Sequence, residues 1–375
     1  MCRHLILSAA SILSILQVTA LDRVVSPTGT FNTISSAIAA SSNGDRILVD
    51  AGTYTENLQL NKELSILPLV EGIRYTVKGF AYVGMASGGR VVISGIRLTL
   101  GLILEATHTV RTDVILIDSY LELAAAVDPY VHLELYRDTL FSGLSASSLT
   151  MVGCFVNGDY NTGAGIAVSG NTMLPDDIKI IGNSIGSPTG GSGINIQSSR
   201  VFHIENNFVR TNPSGTPAVN FARTGNYSAP PSRVLNNTFY KHIAQAAFAV
   251  NDNGALSPLT LKNNAIVGYS SGAVNPLPAN SPELLSDHNL SVPATSINTT
   301  TGQPQAGSSL MNAGDPDPRY LDLDLTTNDV GCYGGSNSRA NFTTGMGSAV
   351  VGFMNAPRVV AQGEAVNISA TGFDR

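Results

Sequence analysis

Acidic residues near the C-terminal end of the chain supply the side chains that a metal site needs. Asp315 and Asp317 come first, and Asp322, Asp324 and Asp329 follow them. Carboxylate oxygens are ligands that a hard cation such as calcium prefers, although this spacing is not that of an EF-hand loop. We take Asp322, Asp324 and Asp329 as candidate ligands and calcium as the candidate cofactor. The alternative is that these residues cap turns.

Other polar residues bear on hydrolysis and on metal binding. Asp176 and Asp177 are an adjacent acidic pair, and hydrolysis of a glycosidic bond needs two or three converging carboxylates. The pair follows a proline and precedes an apolar strand pattern, which favours a turn. The histidines show no close pair at metal-ligand spacing, which favours surface or groove positions; they include His108, His132, His203, His242 and His288.

Basic residues in the middle of the chain could serve an elimination reaction. A polysaccharide lyase needs a strong base, usually Arg or Lys, held near a bound uronate. The basic residues of this region are Arg210, Arg223, Arg233 and Lys241. We select Arg210 as the candidate base. The alternative is that all four are solvated loop charges, since charged side chains are mostly exposed.

The chain as a whole is acidic and sparsely charged. Charged residues make up 13% of it, and the formal net charge is -6. This balance gives no general attraction for nucleic acid or for an anionic membrane, because both require a concentrated basic field. An acidic polymer would need a local basic strip or bridging cations. The chain has no Trp, so stacking on sugar rings would fall to residues such as Tyr130, Tyr160 and Tyr240.

The N-terminus has the pattern of a secretory signal. Arg3 and His4 precede an apolar run over residues 5–16, and small or β-branched residues end at Ala20. The run is too short to span about 30 Å of hydrocarbon. Residues 1–20 are therefore predicted to be a cleaved signal peptide, and the protein is predicted to be secreted or on the cell surface, including the periplasm. A disulfide framework is not expected from the two cysteines that would remain.

A short pattern recurs through the middle of the chain. It consists of an aliphatic residue, a variable one, a small or amide pair, and then apolar residues. The clearest copies contain Asn183, Asn207, Asn237 and Asn264 as their second amide, and weaker copies begin near residue 92. The spacing suits a solenoid with one coil of three short strands for each copy. Nearer the N-terminus, an amphipathic pattern at residues 34–41 predicts a short helix that caps the first coil.

The recurring asparagine has a physical reason in such a solenoid. At one corner of successive coils, Asn can tolerate a left-handed backbone and hydrogen-bond the next coil, which builds an amide ladder. Each bond contributes about 1 kcal/mol net, and apolar neighbours that point inward supply the main stabilisation. The pattern predicts an all-β fold, a right-handed single-stranded parallel β-helix, over residues 21–335. Residues 336–375 are predicted to be a tail, in which residues 361–371 resemble the first strand of a truncated sandwich module.

Both ends of the repeat region resemble known β-helix proteins. Residues 31–38, 44–47 and 51–57 resemble the start of pectin-lyase-like proteins, and residues 312–316 and 328–335 are similar to the end of many secreted bacterial β-helix repeat proteins. The resemblance implies the fold. It does not fix the reaction, because this superfamily includes lyases, hydrolases, esterases, epimerases and proteins without known activity.

A shorter resemblance points to an esterase. Residues 136–141 look like a pectinesterase segment, and residues 154–160 are similar to the stretch around its nucleophilic carboxylate. Carried over, the resemblance implies that Asp138 is the acid and Asp159 the nucleophile. Arg137 stands where the family has an amide, and the later Gly-Arg-Pro-Trp element is absent.

The sequence therefore supports two function classes. The first is an extracellular β-helix protein that binds a polysaccharide, which can be an acidic glycan, and degrades it by lyase-type β-elimination if it is catalytic. The second is a non-catalytic surface or scaffold protein, with the esterase as a lesser alternative. A monomer without nucleic-acid or membrane-spanning partners is expected. Charges clustered in a groove on consecutive coils would favour the first class, and scattered charges the second.

Overall fold

The computed structural model describes residues 20–105, 108–158, 164–169, 173–187, 190–198, 200–212, 215–222, 231–245, 247–252, 258–274, 284–342, 350–357 and 359–373. The predicted signal peptide lies, apart from Ala20, outside these ranges. None of the helices within them has the length and hydropathy that a membrane span requires.

Three parallel sheets run along the described chain, and the backbone visits them in the order sheet 1, sheet 2, sheet 3 in each coil. Sheet 1 consists of the strands Asp22–Val25, Arg46–Val49, Leu64–Pro68, Gly89–Ser94, Thr112–Ile117, Val131–Tyr136, Leu149–Val152, Ile178–Ile181, Phe202–Glu205, Ser232–Leu235, Leu259–Lys262 and Leu284–Asp287.

Sheets 2 and 3 complete the coils. Sheet 2 consists of Thr53–Tyr54, Tyr75–Val77, Ile96–Leu98, Tyr120–Leu121, Thr139–Leu140, Phe155–Asn157, Ser184–Ser187, Phe208–Thr211, Thr238–Gln245, Ala265–Tyr269 and Leu290–Ser291. Sheet 3 consists of Leu58–Leu60, Phe80–Val83, Gly101–Leu104, Ala124–Ala126, Leu144–Ala146, Ile166–Val168, Ile194–Ile196, Val219–Phe221, Phe248–Asp252 and Gly272–Val274. The predicted all-β parallel β-helix is confirmed.

The predicted N-terminal helix is also present, as Ile34–Ala40. Its Thr33 side chain accepts a hydrogen bond from the Ser36 amide at 3.1 Å. Glu56, from the first coil, accepts from the amides of Ile34 and Ser35 at 2.9 and 2.8 Å. These bonds satisfy N–H groups that have no partner inside a helix. The first coil thus fixes the helix that covers its apolar end.

The corner between sheets 1 and 2 contains the predicted amide ladder. The Asn207 side-chain oxygen accepts from the Asn183 amide at 3.0 Å, and Asn237 and Asn264 do the same for the preceding rung at 3.0 and 2.9 Å. The four asparagines are fully buried and form one column. Extended at both ends, this column also contains Ser119, Asp138, Cys154 and Asn289.

Each rung is preceded by a residue in the left-handed backbone region. Gly182 has φ +69°, and Asn206, Asn236 and Asn263 have φ of 55°, 53° and 57°. Gly and Asn adopt this region most readily, which explains why the sequence pattern shows an amide or small residue at both positions. Arg137, with φ 57°, takes the same place in its coil.

A closing segment, residues 294–342, packs on the outer face of sheet 2. It includes the 3₁₀ helices Ala294–Ser296 and Arg339–Phe342. Its apolar side chains join those of the sheet in one cluster of Phe208, Ala265, Val267, Ile297, Leu310, Val330 and Cys332. Cys332 and Cys154 are both free thiols. This packing buries a sheet face that would otherwise lie open to water.

An antiparallel hairpin, Val350–Asn355 with Ser369–Phe373, follows the closing segment. Phe353 of the hairpin and Phe342 pack on an apolar patch of sheet 1 that contains Ile117 and Val152. The strand predicted for residues 361–371 begins later, at Ser369, because the backbone turns between Ala361 and Glu364. Whether the hairpin belongs to a larger sandwich stays a prediction.

Candidate functional site

A cleft of about 710 Å³ lies on the outer face of sheet 1. Its floor is formed by the strands Ile178–Ile181, Phe202–Glu205, Ser232–Leu235 and Leu259–Lys262, together with Leu285 of the next strand. The closing segment provides walls through Arg319, Tyr320 and residues 335–337, and the hairpin region adds Phe353, Ala356, Pro357 and Val359. The lining is more polar than apolar, which suits a hydrated ligand.

Three cationic or titratable side chains form a column on the cleft floor. Lys179 pairs in register with His203, and His203 with Arg233, so the three stand on consecutive coils. They point outward because strand side chains alternate and their neighbours, such as Ile180 and Ile204, are fully buried. Within the described part of the chain, neither Lys179 nor Arg233 has a carboxylate within 4.0 Å. We call these three residues the basic column.

His203 is held between two carboxylates. Its Nε2 lies 3.3 Å from Asp177 Oδ2, and its Nδ1 lies 3.5 Å from Glu205 Oε1. Glu205 also accepts a hydrogen bond from the Asn337 amide group at 3.1 Å. Burial opposes ionisation of Glu205, but the hydrogen bonds from His203 and Asn337, together with the charge of Arg233, outweigh it and lower the pKa of that carboxyl. Glu205 therefore stays ionised and fixes the imidazole plane.

The other cations of the cleft already have acidic partners. Lys262 Nζ donates to Asp315 at 2.5 Å and lies 5.2 Å from the centre of the Tyr320 ring. Arg319 forms a bidentate ion pair with Asp317, through Nε at 3.0 Å and Nη2 at 2.7 Å. These pairs build the wall. The unpaired positive charge of the cleft therefore comes from the basic column.

Asp176 and Asp177, the adjacent acidic pair for which the sequence favours a turn, contact different partners. Asp176 accepts from Arg111 Nη1 at 2.6 Å, whereas Asp177 faces His203. The two carboxylates therefore do not converge on one point. This geometry agrees with the structural role that the sequence favoured for them and does not provide a hydrolase dyad.

The predicted calcium ligands each accept hydrogen bonds from backbone N–H groups. Asp322 accepts from the amides of Gly335 and Asp329, at 2.5 and 3.1 Å. Asp324 accepts from the amide of Thr326 at 3.1 Å. Asp329 in turn accepts from the Asn312 amide at 2.7 Å. These contacts match the turn-capping alternative. The three residues are not a group whose ligand atoms lie within 4.8 Å of one another among the described residues, and calcium binding here stays a prediction.

Another group of ligand-type side chains lies at the corner near the cleft wall. Asp287, His288 and Asp315 each place one ligand atom within 4.8 Å of the others. It is the only such group of three among the described residues. Lys262 already lies 3.8 Å from Asp287 as well as against Asp315. The ammonium supplies the positive charge that a metal ion would bring, so this group is read as an ion-pair network.

Asp138, the acid implied by the esterase resemblance, is a rung of the inner column. Its side chain is buried and accepts from the amides of Ser119 and Tyr136 at 2.7 and 3.0 Å. Burial is the main cause that raises the pKa of Asp138 well above its usual value, and the nearby Asp118 carboxylate raises it further. The side chain faces the interior of the coils and not the cleft.

The remaining esterase residues do not complete a site around Asp138. Arg137 forms a two-pronged ion pair with Asp118 of the preceding coil, at 2.8 and 2.9 Å. Asp159, the implied nucleophile, lies outside the described residues, as does Tyr160. The esterase assignment therefore gains no support from Asp138 or Arg137.

Arg210, selected from sequence as the base of a lyase, lies on sheet 2 and not in the cleft. Its Cζ is 5.6 Å from the centre of the Phe208 ring. Burial first, and the charge of Arg339 second, lower the pKa of Arg210. The candidates Arg210 and Asp138 are thus on different faces of the coil wall, and neither meets the basic column.

Arg233 and His203 can be singled out from the sequence, but not as members of one site, and Lys179 was missed. A signal was present, because Lys179, His203 and Arg233 each stand four residues before a ladder asparagine. Aligning the coils on Asn183, Asn207 and Asn237 would have placed the three in one column. Their different residue types concealed the repeat.

Similarity to known proteins is found among solved structures. No protein-family model matches the chain, and a search of curated proteins gave no match. Among solved structures, pectate lyase Pel9A is 15% identical, with a TM-score of 0.46 over 85% of this chain and 97% of the lyase. The A-module of the mannuronan C-5 epimerase AlgE6 from Azotobacter vinelandii is 16% identical, with a TM-score of 0.38 over 69% of this chain and 93% of the module. Such values concern the fold and not the reaction.

Proposed function

We propose that this protein binds an acidic polysaccharide in the sheet 1 cleft. The observation that carries the proposal is the basic column, in which Lys179 and Arg233 stand on either side of His203 and have no carboxylate within 4.0 Å among the described residues. Neighbouring strands are about 4.8 Å apart, so Lys179 and Arg233, which are two strands apart, lie about 10 Å from each other along the coil axis. A linear polymer with a negative group on each repeat matches this arrangement.

The charge of the rest of the molecule favours a glycan over a nucleic acid. The net charge is -6, so attraction for a polyanion would come from the basic column and not from the molecule as a whole. A long nucleic acid would need phosphate contacts beyond this short column. A uronate or sulfated sugar chain needs only local neutralisation of its acid groups. An extracellular location, as the N-terminal sequence predicts, would bring the protein to such polymers.

A binding panel tests this proposal. Purified protein is titrated with pectate, alginate and a glycosaminoglycan, with and without calcium, and with a neutral glucan and single-stranded DNA as comparisons. We expect an acidic glycan to bind, and the double variant Lys179→Gln with Arg233→Gln to bind it at least tenfold more weakly.

The matched control for that panel is Arg90→Gln, an exposed arginine on sheet 1 that does not line the cleft. It should bind as the wild type does. Equal affinity of the double variant and the wild type for every acidic glycan would overturn the proposal. Tighter binding of DNA than of any glycan would show that the cleft serves a different polyanion.

The same cleft also supports β-elimination as its reaction. In such an elimination a base takes the proton from the carbon that bears the uronate carboxyl group, a carbon–carbon double bond forms as the bond from the neighbouring carbon to the glycosidic oxygen breaks, and that oxygen takes up a proton from solvent. We assign the base to His203 Nε2, which a bound uronate would free from the exposed Asp177 carboxylate. Lys179 and Arg233 would neutralise the carboxylate and make that proton more acidic. Unsaturated products absorb in the ultraviolet. Their formation by the wild type and its loss in His203→Gln would support elimination, whereas no product from any bound glycan would leave binding alone.

A further inference from the structure

A second group of unpaired cations lies on sheet 2, away from the cleft. Arg210 is partly buried, and its Nε is enclosed without a hydrogen-bond partner. Its guanidinium packs near the ring of Phe208, with Cζ 5.6 Å from the ring centre. In the described part of the chain, no carboxylate comes within 4.0 Å of this arginine. Arg210 therefore holds its charge in a partly enclosed place without a counterion.

Arg339, of the closing segment, binds the loop that packs against Phe208. Its Nη1 donates to the carbonyl of Thr301 at 3.2 Å and to the Tyr333 hydroxyl at 3.3 Å. Gly302, the next residue after Thr301, lies so close to Phe208 that a Cβ there would be 2.6 Å from the ring. The Arg210 guanidinium thus lies over the Phe208 ring, and the loop that contains Thr301 packs against the same ring. Like Arg210, Arg339 has an enclosed Nε without a partner.

Two guanidinium groups in one partly buried place repel each other. Removing water from both makes the repulsion stronger than at an open surface. The effect is visible on Arg210, whose pKa is lowered by burial and then by the charge of Arg339. An uncompensated pair of this kind is unfavourable unless a negative group joins it.

We propose that Arg210 and Arg339 form a binding site for an oxyanion of the phosphate, sulfate or carboxylate class. Planar guanidinium groups match such anions with paired N–H donors. Gly186 lies in register with Arg210 on the preceding coil, and the Arg210 guanidinium lies where a side chain of that residue would otherwise be in contact with it. A Cβ on Gly186 would be 3.8 Å from Arg210 Nη2. The site lies on sheet 2 and is independent of the function proposed for the sheet 1 cleft.

Thermal denaturation at constant ionic strength tests the site. The full chain is melted in chloride, phosphate and sulfate, and in the sodium salt of a monomeric uronic acid. Phosphate and sulfate also stabilise proteins without binding a site, by exclusion from the surface. The decisive quantity is therefore the difference between wild type and Arg210→Gln, with Arg97→Gln, an exposed arginine, as control.

We expect wild type and Arg97→Gln to gain more stability from at least one oxyanion than Arg210→Gln or Arg339→Gln do. Calorimetric titration of that anion should show at least tenfold weaker affinity in Arg210→Gln. In chloride, Arg210→Gln should melt no lower than the wild type, because one of two like charges has gone. A response to phosphate or sulfate alone identifies a free inorganic anion, and a response to the uronate identifies an acid group of a glycan.

Equal gains in all four proteins in every anion would overturn the proposal. A lower melting temperature of Arg210→Gln in chloride, together with an unchanged response to anions, would do the same and would assign the arginine a packing role. If Arg210→Gln does not fold, Arg210→Lys keeps the charge but loses the paired donors, and it should bind the anion more weakly than the wild type.

Discussion

The column of asparagines inside the coils and the basic column outside them both place one polar side chain in each successive coil. Inside, every rung from Asn183 to Asn264 donates and accepts within the protein. Outside, Lys179 and Arg233 keep their charge without a carboxylate partner in the described chain. The inner column is thus complete in itself, while the outer one would be completed by the proposed ligand. Repetition alone does not distinguish structure from function, but hydrogen-bond satisfaction does.

The largest effect is expected inside the coils, from Asn207→Ala. Asn207 accepts from the amide and the side chain of Asn183 and donates to the carbonyl of Ile180 and to Asn237. Removing it leaves several buried groups unmatched, so the free energy of unfolding should fall by about 3 kcal/mol. Urea unfolding followed by circular dichroism measures the change.

The matched control is another asparagine that hydrogen-bonds its counterparts on neighbouring coils through its side chain, but at a solvent-accessible position. Asn220, on sheet 3, donates to Asn195 at 2.9 Å and accepts from Asn251 at 2.8 Å, and all three are partly exposed. Asn220→Ala should cost less than about 1 kcal/mol, because water replaces the lost partners. Equal losses for Asn207→Ala and Asn220→Ala would show that burial does not distinguish the two ladders.

A smaller effect, on binding alone, is expected outside the coils from Arg233→Gln. Affinity for the acidic glycan should fall about tenfold, because one of two unpaired cations is removed. Stability should change by less than about 0.5 kcal/mol, since the side chain is exposed. Calorimetric titration and urea unfolding on the same sample measure both. A loss of stability without a loss of affinity would reverse the roles of the two columns.

The smallest effect is expected from Asp138→Asn, which turns the carboxyl rung into an amide. A folded-state pKa raised above the unfolded value means that the carboxyl contributes stability below its ordinary pKa and loses that contribution as pH rises through the folded value. The stability of the variant relative to the wild type should therefore rise by about 1 kcal/mol between pH 4 and pH 7. Unfolding measured across that pH range tests this.

The same variant separates the two interpretations of Asp138. As a ladder rung, Asp138→Asn should leave glycan binding and any elimination unchanged. If the chain releases methanol from methylated pectin and the variant does not, then the esterase resemblance, and not the ladder, describes this residue.

The ladder could be predicted from sequence because four of its rungs are the same residue in similar surroundings. Its continuation towards the N-terminus could not be predicted, because the rungs before Asn183 are Cys154, Asp138 and Ser119, which have different chemistry. Asp138 was therefore matched to a catalytic motif. A hydrogen-bond acceptor at that corner is all that the fold requires, and several residue types supply one.

The cleft could not be predicted for a different reason. Its floor needs the register between coils, which loops of unequal length hide, and its walls come from Tyr320 and Phe353, far along the chain. Arg210 illustrates the limit of charge counting, since it lies close to Arg233 in sequence but on another sheet. Only the winding of the backbone decides which cations share a face.

Salt dependence of binding tests the central claim most directly. An acidic oligosaccharide of defined length is titrated into wild type and into the Lys179→Gln, Arg233→Gln double variant at a series of salt concentrations. If the basic column neutralises the sugar acids, the wild-type affinity should fall more steeply with salt, by a slope difference of roughly two in the logarithmic plot. Parallel lines for the two proteins would contradict the claim that these cations hold the ligand.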